Sequence, residues 1–529
     1  MGFGGAKIGD DSDRTVIASS DNDERGDMRY LIALSALAAL LLAATGSAQT
    51  AAKHSAAASP LYVQAPGGPV KLQTSWLHSA PASWSGCTAA GVLHCYLPSD
   101  IREAYGIDQV PEDGLGQTIV LVDSYGSPDA AQELQAFHDA FFPNEPAPNF
   151  DQVFPFGKPD FNNANGNGQS GPSAAANWAG EAALDVQWSY AIAPRAHIVL
   201  LAVPPAETLG VQGFPNLFNA ISQAIDTYPA GTVFSMSLAA TESTFGGAAG
   251  VQTAKFDQVF QKGIAKGDGF FAAAGDNGTL DLGKQHHKTA VGPNPATWWP
   301  ATSPYVTAVG GTQLQFGWTW DPLGDVPFNP DGSFNGDYFN SLAGGNLNVV
   351  WNESWLPAAT GGGDSSIYSR PSWQDSVASV TGNNRGVPDL SLNAAVNGAV
   401  LVDLQSFLPP DQQGFYLIGG TSAATPQTAA LTALVNERRA ADGKAPIGDL
   451  APKLYTNSLP GAFTDVLPIQ QGTAMSGDLN SNGMFQYNAD GSVSPGPVAG
   501  SAVLSGWDMT TGFGTPWAPN FVADLANLP

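Results

Sequence analysis

Cysteine is nearly absent: 529 residues contain two, Cys87 and Cys95. That rules out a disulfide-rich scaffold. No zinc-type Cys/His spacing accompanies them, and the pair could close at most one small loop in an oxidising compartment. Charge is scarce as well. Only 12% of residues are charged, and 20 Lys+Arg against 46 Asp+Glu leave a net charge of −26. Nucleic acids and anionic membranes are bound through basic surfaces, so neither is an expected partner. Long apolar runs are missing after the first fifty residues, and no internal repeat is evident. What is abundant is Gly (61) and Pro (40), in a chain that is 43% hydrophobic. This composition fits a loop-rich extracellular protein with a sizeable core. An acidic chain poor in Lys and Arg also loses self-repulsion at low pH, which is compatible with an acid habitat.

The stretch from Met28 starts with a basic residue, Arg29, continues through an apolar core and ends in small residues up to Ala48. That is the pattern of a signal peptide, too short for a full membrane span. Translation is expected to begin at Met28, with 1–27 a leader, 28–48 a signal peptide and 49–95 an Ala/Ser/Pro-rich linker. A secreted protein, extracellular or periplasmic, follows, with no stable membrane association after cleavage. A monomer is expected.

From residue 96 to 529 the pattern reads as one domain. Buried-type strands are expected at Gln117–Asp123, Ala196–Pro204, Thr232–Leu238 and Gly269–Ala274. Helices are expected near Asp129–Phe141, Phe214–Thr227 and Lys255–Lys266. This alternation predicts an α/β fold with a doubly wound, mostly parallel sheet flanked by helices. The chemistry is then expected at the carboxyl ends of the strands. Pro143–Gly171, Trp318–Gly361 and Gln470–Gly500 lack periodicity and read as loop insertions.

Residues 419–426 read Gly-Gly-Thr-Ser-Ala-Ala-Thr-Pro, ahead of a helical run Gln427–Ala440. A serine held between a glycine turn and a helix N-terminus suits a nucleophile whose reaction develops negative charge. Ser422 is that candidate. None of the seven histidines (His54, His78, His94, His138, His197, His286, His287) lies in a His-Gly-Thr setting that would supply its base. Instead Glu181 and Asp185 stand four apart in an alanine-rich helical stretch, on one face. Two adjacent carboxyls can share a proton, and one then serves as a base in acid, where histidine is protonated. Asp276 follows the strand ending Ala-Ala-Ala-Gly; protonated, it could donate to an oxyanion.

Gly-Thr-Ser-x-x-x-Pro resembles the signature of subtilisin-like peptidases. Joined in order with Glu-x-x-x-Asp and Gly-Asp, it resembles the sedolisin, or serine-carboxyl peptidase, family. The resemblance extends over about 96–520 and includes Trp299–Thr312, Thr360–Gly363 and Arg385–Ser391. It implies a subtilisin-like fold and hydrolysis of peptide bonds in proteins or peptides, by endopeptidase or tripeptidyl-peptidase action. Ser422 would be the nucleophile, Glu181 the base, Asp185 its orienting partner and Asp276 the oxyanion acid, while Asp123 is read as supporting. Ser235, Ser237 and Gly420 would bind substrate backbone, with Trp188, Trp298 and Trp299 either lining subsites or packing in the core. One structural Ca2+ is implied, held by Asp465 and Asp508 carboxylates and the carbonyls of Val466, Leu504 and Gly506; Leu504 stands where the family often has Gly. A large prosegment is common in the family, whereas about 45 residues here separate Ala48 from the catalytic start, so that either no zymogen mechanism exists or 49–95 acts as a short substitute. A histidine-based subtilisin and a binding protein on an inactive peptidase fold are the alternatives; the first predicts a neutral optimum and the second no turnover.

Overall fold

A computed structural model describes residues 59–60, 63–64, 95–161, 172–203, 213–281, 294–314, 348–353, 358–396, 398–410, 412–468, 478–487, 493–496 and 498–529. The expected leader and signal peptide lie outside these residues. Among the described residues no helix is long and apolar enough to cross a membrane.

Two short strands, β1 (Ser59–Pro60) and β2 (Val63–Gln64), precede β3 (Cys95–Tyr96) and helix α1 (Pro98–Ala104). The α/β core then runs β4 (Thr118–Ser124), α2 (Ala130–Phe141), β5 (Asn149–Val153), α3 (Pro172–Ile192), β6 (His197–Val203) and α4 (Phe214–Thr227). It continues with β7 (Val233–Met236), β8 (Leu238–Thr241), α5 (Ala249–Lys266), β9 (Gly269–Ala273), β10 (Trp298–Trp299) and β11 (Thr307–Leu314). Shorter pieces follow: β12 (Asn348–Val350), β13 (Asn352–Glu353), β14 (Ala358–Ala359), β15 (Gly363–Ser369), α6 (Ala378–Thr381), β16 (Asn384–Val387) and β17 (Leu390–Asn393). The chain closes with β18 (Ala399–Leu404), β19 (Gly414–Gly419), α7 (Thr421–Ala441), α8 (Ala451–Thr456), β20 (Phe463–Thr464), β21 (Phe485–Tyr487), β22 (Val493–Pro495), β23 (Thr515–Pro516) and α9 (Ala518–Asn527).

The main sheet has the order β12-β11-β9-β7-β4-β6-β5, with β17 also paired to β11, and every pair except β11–β12 is parallel. Strand periodicity builds its two faces. In β4, Ile119 and Leu121 point into one core with α3 and α7, while Val120 and Val122 point into a second core with α4. The second core centres on Trp299, whose ring lies 5.2–5.5 Å from those of Phe214, Phe218, Phe245 and Phe256. Cys95 is disulfide-bonded.

Several expectations need correcting. The strand expected over Thr232–Leu238 is two strands, because the chain leaves the main sheet at Ser237 and β8 pairs with β1 and β10. The helix expected from Lys255 starts at Ala249. The insertions hold β5, β12–β14 and the β21–β22 pair; strands of two to five residues are too short to leave a periodic signal. Helix α7 begins at Thr421, so Pro426 lies inside it rather than at its start.

Behind the sheet, Arg385 and Asp389 form a fully buried pair (Nη2–Oδ2 2.6 Å), and Tyr455 Oη donates to Asp389 Oδ1 at 2.6 Å. The backbone of the same segment holds the C-terminal loop, through Phe513 N to Asp389 O (2.9 Å) and Ser391 N to Gly514 O (3.0 Å). Removing one partner of such a pair strands a charge and typically costs about 3–5 kcal/mol.

Several carboxyls are buried without cations. Glu133 accepts hydrogen bonds from Gln405 N, Ser406 N and Ser127 Oγ, yet burial still pushes it up to about 7. Burial also pushes Asp257 up to about 6. Each binds its proton more tightly folded than unfolded. Their contribution is therefore fully present below the unfolded carboxyl range near pH 4, and is lost as pH rises through about 6–7. The melting temperature is expected to rise by on the order of 5 °C between pH 7.5 and pH 4.5, as read by calorimetry. A fall over that interval would contradict the assignment.

Candidate active site

The nucleophile candidate sits where β19 turns into α7. Gly420 takes φ +128°, a conformation L side chains rarely adopt, and its N–H donates to Ala394 O at 2.6 Å. Ser422 is the second residue of α7, within reach of the helix's orphan amides and positive dipole end. It is fully buried, and its Oγ takes no hydrogen bond of normal geometry. Pro426 has no N–H to offer the carbonyl four residues back, which belongs to Ser422. That carbonyl instead receives a long bond from Ser237 Oγ at 3.5 Å. Three threonines of this buried helix satisfy themselves on preceding carbonyls, Thr425 on Thr421, Thr428 on Ala424 and Thr432 on Thr428.

Helix α3 presents Glu181 and Asp185 on one face, and both are completely buried. Asp185 Oδ1 accepts from Ser237 Oγ at 2.8 Å, while its Oδ2 and both Glu181 oxygens have no hydrogen-bond partner. Asp123, near the carboxyl end of β4, is buried too, with both oxygens unpartnered. Burial is the first cause raising all three, and it pushes Asp123 up to about 8. The charges of Asp185, Asp123 and Asp276 raise Glu181 further, and Asp123 raises Asp185. Only the Ser422 and Ser237 hydroxyls pull the other way, on Glu181 and Asp185 respectively. Ser422 is thus close enough to Glu181 to be felt, but the contact falls short of a formed hydrogen bond, a looseness common in sites without substrate. These neighbouring charges make it costlier for Glu181 and Asp185 to ionise.

Asp276 follows β9 in a turn where Gly275 has φ +108°; a Cβ there would lie 2.8 Å from the Trp298 ring. Asp276 Oδ1 accepts from both Thr421 N and Thr421 Oγ1 at 2.7 Å, while Oδ2 is buried and unpartnered. Burial pushes this carboxyl up to about 6, against the pull of both Thr421 bonds. Protonated on Oδ2, it is a hydrogen-bond donor fixed to the residue next to Ser422.

The structure brings Ser422, Glu181, Asp185 and Asp276 together and adds Asp123 and Ser237. Asp123 had a signal, an acid ending an otherwise apolar strand. Ser237, expected to bind substrate backbone, donates its hydroxyl to Asp185, while Ser235 is buried in β7 with an unpartnered hydroxyl. Gly420 serves as the turn before the nucleophile helix. The tryptophans are core residues: Trp188 Nε1 donates to Leu401 O, and Trp298 and Trp299 are buried. Of the histidines, His138 bonds Tyr190 and His197 bonds Asp151; the rest fall outside the described residues.

The expected metal ligands lie near the β20–β23 pair. Gly506 N donates to Asp465 Oδ2 at 2.7 Å, and Leu504 N donates to Asp508 Oδ2 at 2.9 Å. Asp508 Oδ1 accepts from the N–H groups of Thr510 and Thr511. Burial and the Asp508 charge raise Asp465, whose Oδ1 is buried without a partner. Among the described residues the carbonyls of Val466, Leu504 and Gly506 accept no hydrogen bond, and no group of three or more His, Cys, Asp or Glu could hold a metal.

Residues 161–450 match the family model described as "Subtilase family". Kumamolisin of Bacillus sp. (strain MN-32) is 30% identical over 80% of this chain and 62% of its own length. Sedolisin of Pseudomonas sp. (strain 101) is 31% identical over 49% of this chain and 35% of its own. Tripeptidyl-peptidase 1 of Homo sapiens is 28% identical over 43% and 33%. The chain therefore spans less than two thirds of these relatives. The solved structure of Pseudomonas sedolisin, a serine-carboxyl proteinase complexed with two molecules of pseudo-iodotyrostatin, superposes with TM-score 0.57 at 23% identity, over 82% of this chain and 98% of that one, and shares its fold. With a subtilase match over more than half its length and sedolisin-type relatives, the chain belongs to the subtilase family, in its sedolisin branch.

Proposed function

We propose that this protein is a secreted serine-carboxyl peptidase that hydrolyses peptide bonds of proteins or peptides in acid, as a monomer with one structural Ca2+. The observation that carries the reading is the buried, unpartnered Oδ2 of Asp276, fixed through Thr421 beside Ser422 and in no ion pair among the described residues. Ser422 Oγ attacks the scissile carbonyl carbon, and Glu181 takes its proton. Asp185, held by Ser237, orients Glu181, and Asp123 raises the proton affinity of the pair. The oxyanion accepts from protonated Asp276. Glu181 then passes the proton to the leaving amine, and water releases the acyl group by the same path.

The pH dependence has two limbs of opposite sign. Glu181 acts as a base only after the carboxyl cluster has lost a proton, so activity rises from strong acid. Asp276 donates only while protonated, so activity falls as pH rises through about 6. Hydrolysis of a quenched peptide from pH 2 to 8 is expected to peak in acid, and Ser422→Ala should lower kcat at least about 10³-fold. A neutral peak would overturn the carboxylate mechanism.

Asp276→Asn keeps an oxygen for Thr421 and replaces the titrating donor with an amide. Activity is expected to stay within about 10²-fold of the parent while the alkaline limb moves upward. An unmoved limb would remove Asp276 from the oxyanion role.

Asp465 and Asp508 carboxylates with the Val466, Leu504 and Gly506 carbonyls form an oxygen donor set suited to Ca2+, and Asp465 Oδ1 is the free carboxylate oxygen among them. Bound there, the ion would neutralise the two acids and tie their loops together. EGTA treatment and desalting at pH 7 should lower the melting temperature by about 5 °C, reversed by Ca2+ but not by Mg2+. In Asp465→Asn that difference should disappear.

A further inference from the structure

The turn that carries Asp276 is flanked along its length by residues 359–361. Gly361 N donates to Gly275 O at 2.7 Å, Ala359 N donates to Asp276 O at 3.0 Å, and Gly278 N donates back to Ala359 O at 2.9 Å. The approach leaves no room for side chains. A Cβ on Gly361 would run into Ala274 O, and one on Gly278 into Asn482 O. These main-chain bonds make 359–361 the mould against which the Asp276 turn is set.

One anchor of the mould is the sheet. Thr360 N donates to Trp351 O at 3.0 Å, and Gly311 N, in β11, donates to Thr360 Oγ1 at 2.8 Å. The other anchor is a side chain. Asn482 is fully buried; its Nδ2 donates to Thr360 O at 3.1 Å, with Gly362 O at 3.4 Å, and its Oδ1 accepts from Ser501 N at 2.7 Å. In return Asn352, in β13, directs its Nδ2 to Asp478 O, Ser481 O and Gly483 O at 3.2, 2.8 and 2.9 Å, pinning the loop from which Asn482 projects. Two amides thus tie loop and mould together from opposite directions. A carboxamide donates and accepts at once and does not titrate, so its bonds persist while the neighbouring acids gain and lose protons. Nδ2 faces backbone carbonyls, where an apolar group would make no bond and an ionised carboxylate would set oxygen against oxygen.

We propose that Asn482 is a positioning residue for peptide hydrolysis: through Thr360 and Gly362 it sets the place of Asp276 relative to Ser422. This rests on the peptidase reading given above. Asn482 touches neither substrate nor reacting atoms. It fixes residues 359–361, which fix Gly275 and Asp276, while Thr421 holds Asp276 from the Ser422 side. An oxyanion donor works only at hydrogen-bond distance from the developing charge, and a misplacement of about 1 Å caused from outside the site can cost about 10²-fold in rate. The loss falls on kcat, because the oxyanion forms only after substrate is bound.

The experiment compares the full chain with its Asn482→Ala and Asn482→Asp variants by quenched-peptide hydrolysis from about pH 3 to about pH 6.5, with circular dichroism followed on each. Asn482→Ala is expected to lower kcat by about 10- to 10²-fold while KM stays within about twofold of the parent. Asn482→Asp keeps the shape of the side chain, and its carboxyl, while protonated, can donate to Thr360 O and accept from Ser501 N. Its kcat should therefore lie within about fivefold of the parent at about pH 3, and should fall relative to the parent as pH rises and that carboxyl ionises. A folded Asn482→Ala with the parent kcat, or with a loss confined to KM, overturns the proposal and leaves the peptidase reading standing. So does a folded Asn482→Asp whose kcat relative to the parent is unchanged by pH, and this comparison decides where Asn482→Ala does not fold. If the parent cleaves no peptide at any pH, the peptidase reading fails and takes this proposal with it.

Discussion

Acid groups buried without counter-cations are the constraint around which this molecule is organised. Asp123, Glu181, Asp185 and Asp276 are all buried, and none makes an ion pair among the described residues. Burying one ionised carboxylate is expensive, and burying several side by side more so, unless protons do what cations would otherwise do. The cluster is thus comfortable only when partly protonated. On the proposed mechanism, the same condition leaves one carboxylate free to take a proton from Ser422 while Asp276 keeps one to donate. That mechanism and a tolerable electrostatic energy call for the same pH range.

Holding these groups at fixed separations is the work of the surrounding fold. Asp276 and Ser422 come from different strand ends, and Thr421 joins them by giving both its N–H and its hydroxyl to one carboxylate oxygen. Gly275 N returns a bond to the Thr421 hydroxyl at 3.2 Å, so turn and helix start are locked from both sides. Ser237 performs a similar task, donating to Asp185 and lying within 3.5 Å of the Ser422 carbonyl that Pro426 leaves unclaimed. A proline inside a helix normally wastes a carbonyl; here the carbonyl is used to tie the nucleophile to the acid pair.

Much of this was legible from residue order alone. Glu-x-x-x-Asp in an alanine-rich stretch has one geometric solution, a shared helix face, and an acid after a strand-ending glycine belongs at the carboxyl edge of a parallel sheet. Long elements such as Phe214–Thr227 have the periodicity to be recognised, and that helix lies where expected. The misses have local causes. Pro426 suggested a helix start because proline favours the first turn, but buried threonines bonding their own preceding carbonyls let α7 begin five residues earlier. Ser237 looked like a strand residue because side-chain alternation continues across the point where β7 gives way to β8. Pairings of two residues, such as β1 on β8, leave no pattern at all, since they depend on which edge is vacant and not on the segment's own composition.

The scarcity of basic residues belongs to the same physics. Most proteins unfold in acid because protonated carboxylates leave a large positive charge repelling itself. With 20 Lys+Arg and 7 His, this chain has few positive groups for 529 residues, and its isoelectric point near 4.3 puts it close to neutrality where its buried carboxyls are best accommodated. Global repulsion is therefore smallest in acid, and the local cost of the Asp123–Glu181–Asp185 cluster falls in the same direction. Towards neutral pH both terms grow together, the surface gaining negative charge while the buried acids are pressed to ionise. A chain that spaced its surface charges for pH 7 would set these two demands against each other. In this one, the composition outside the site and the buried carboxyls inside it favour the same conditions.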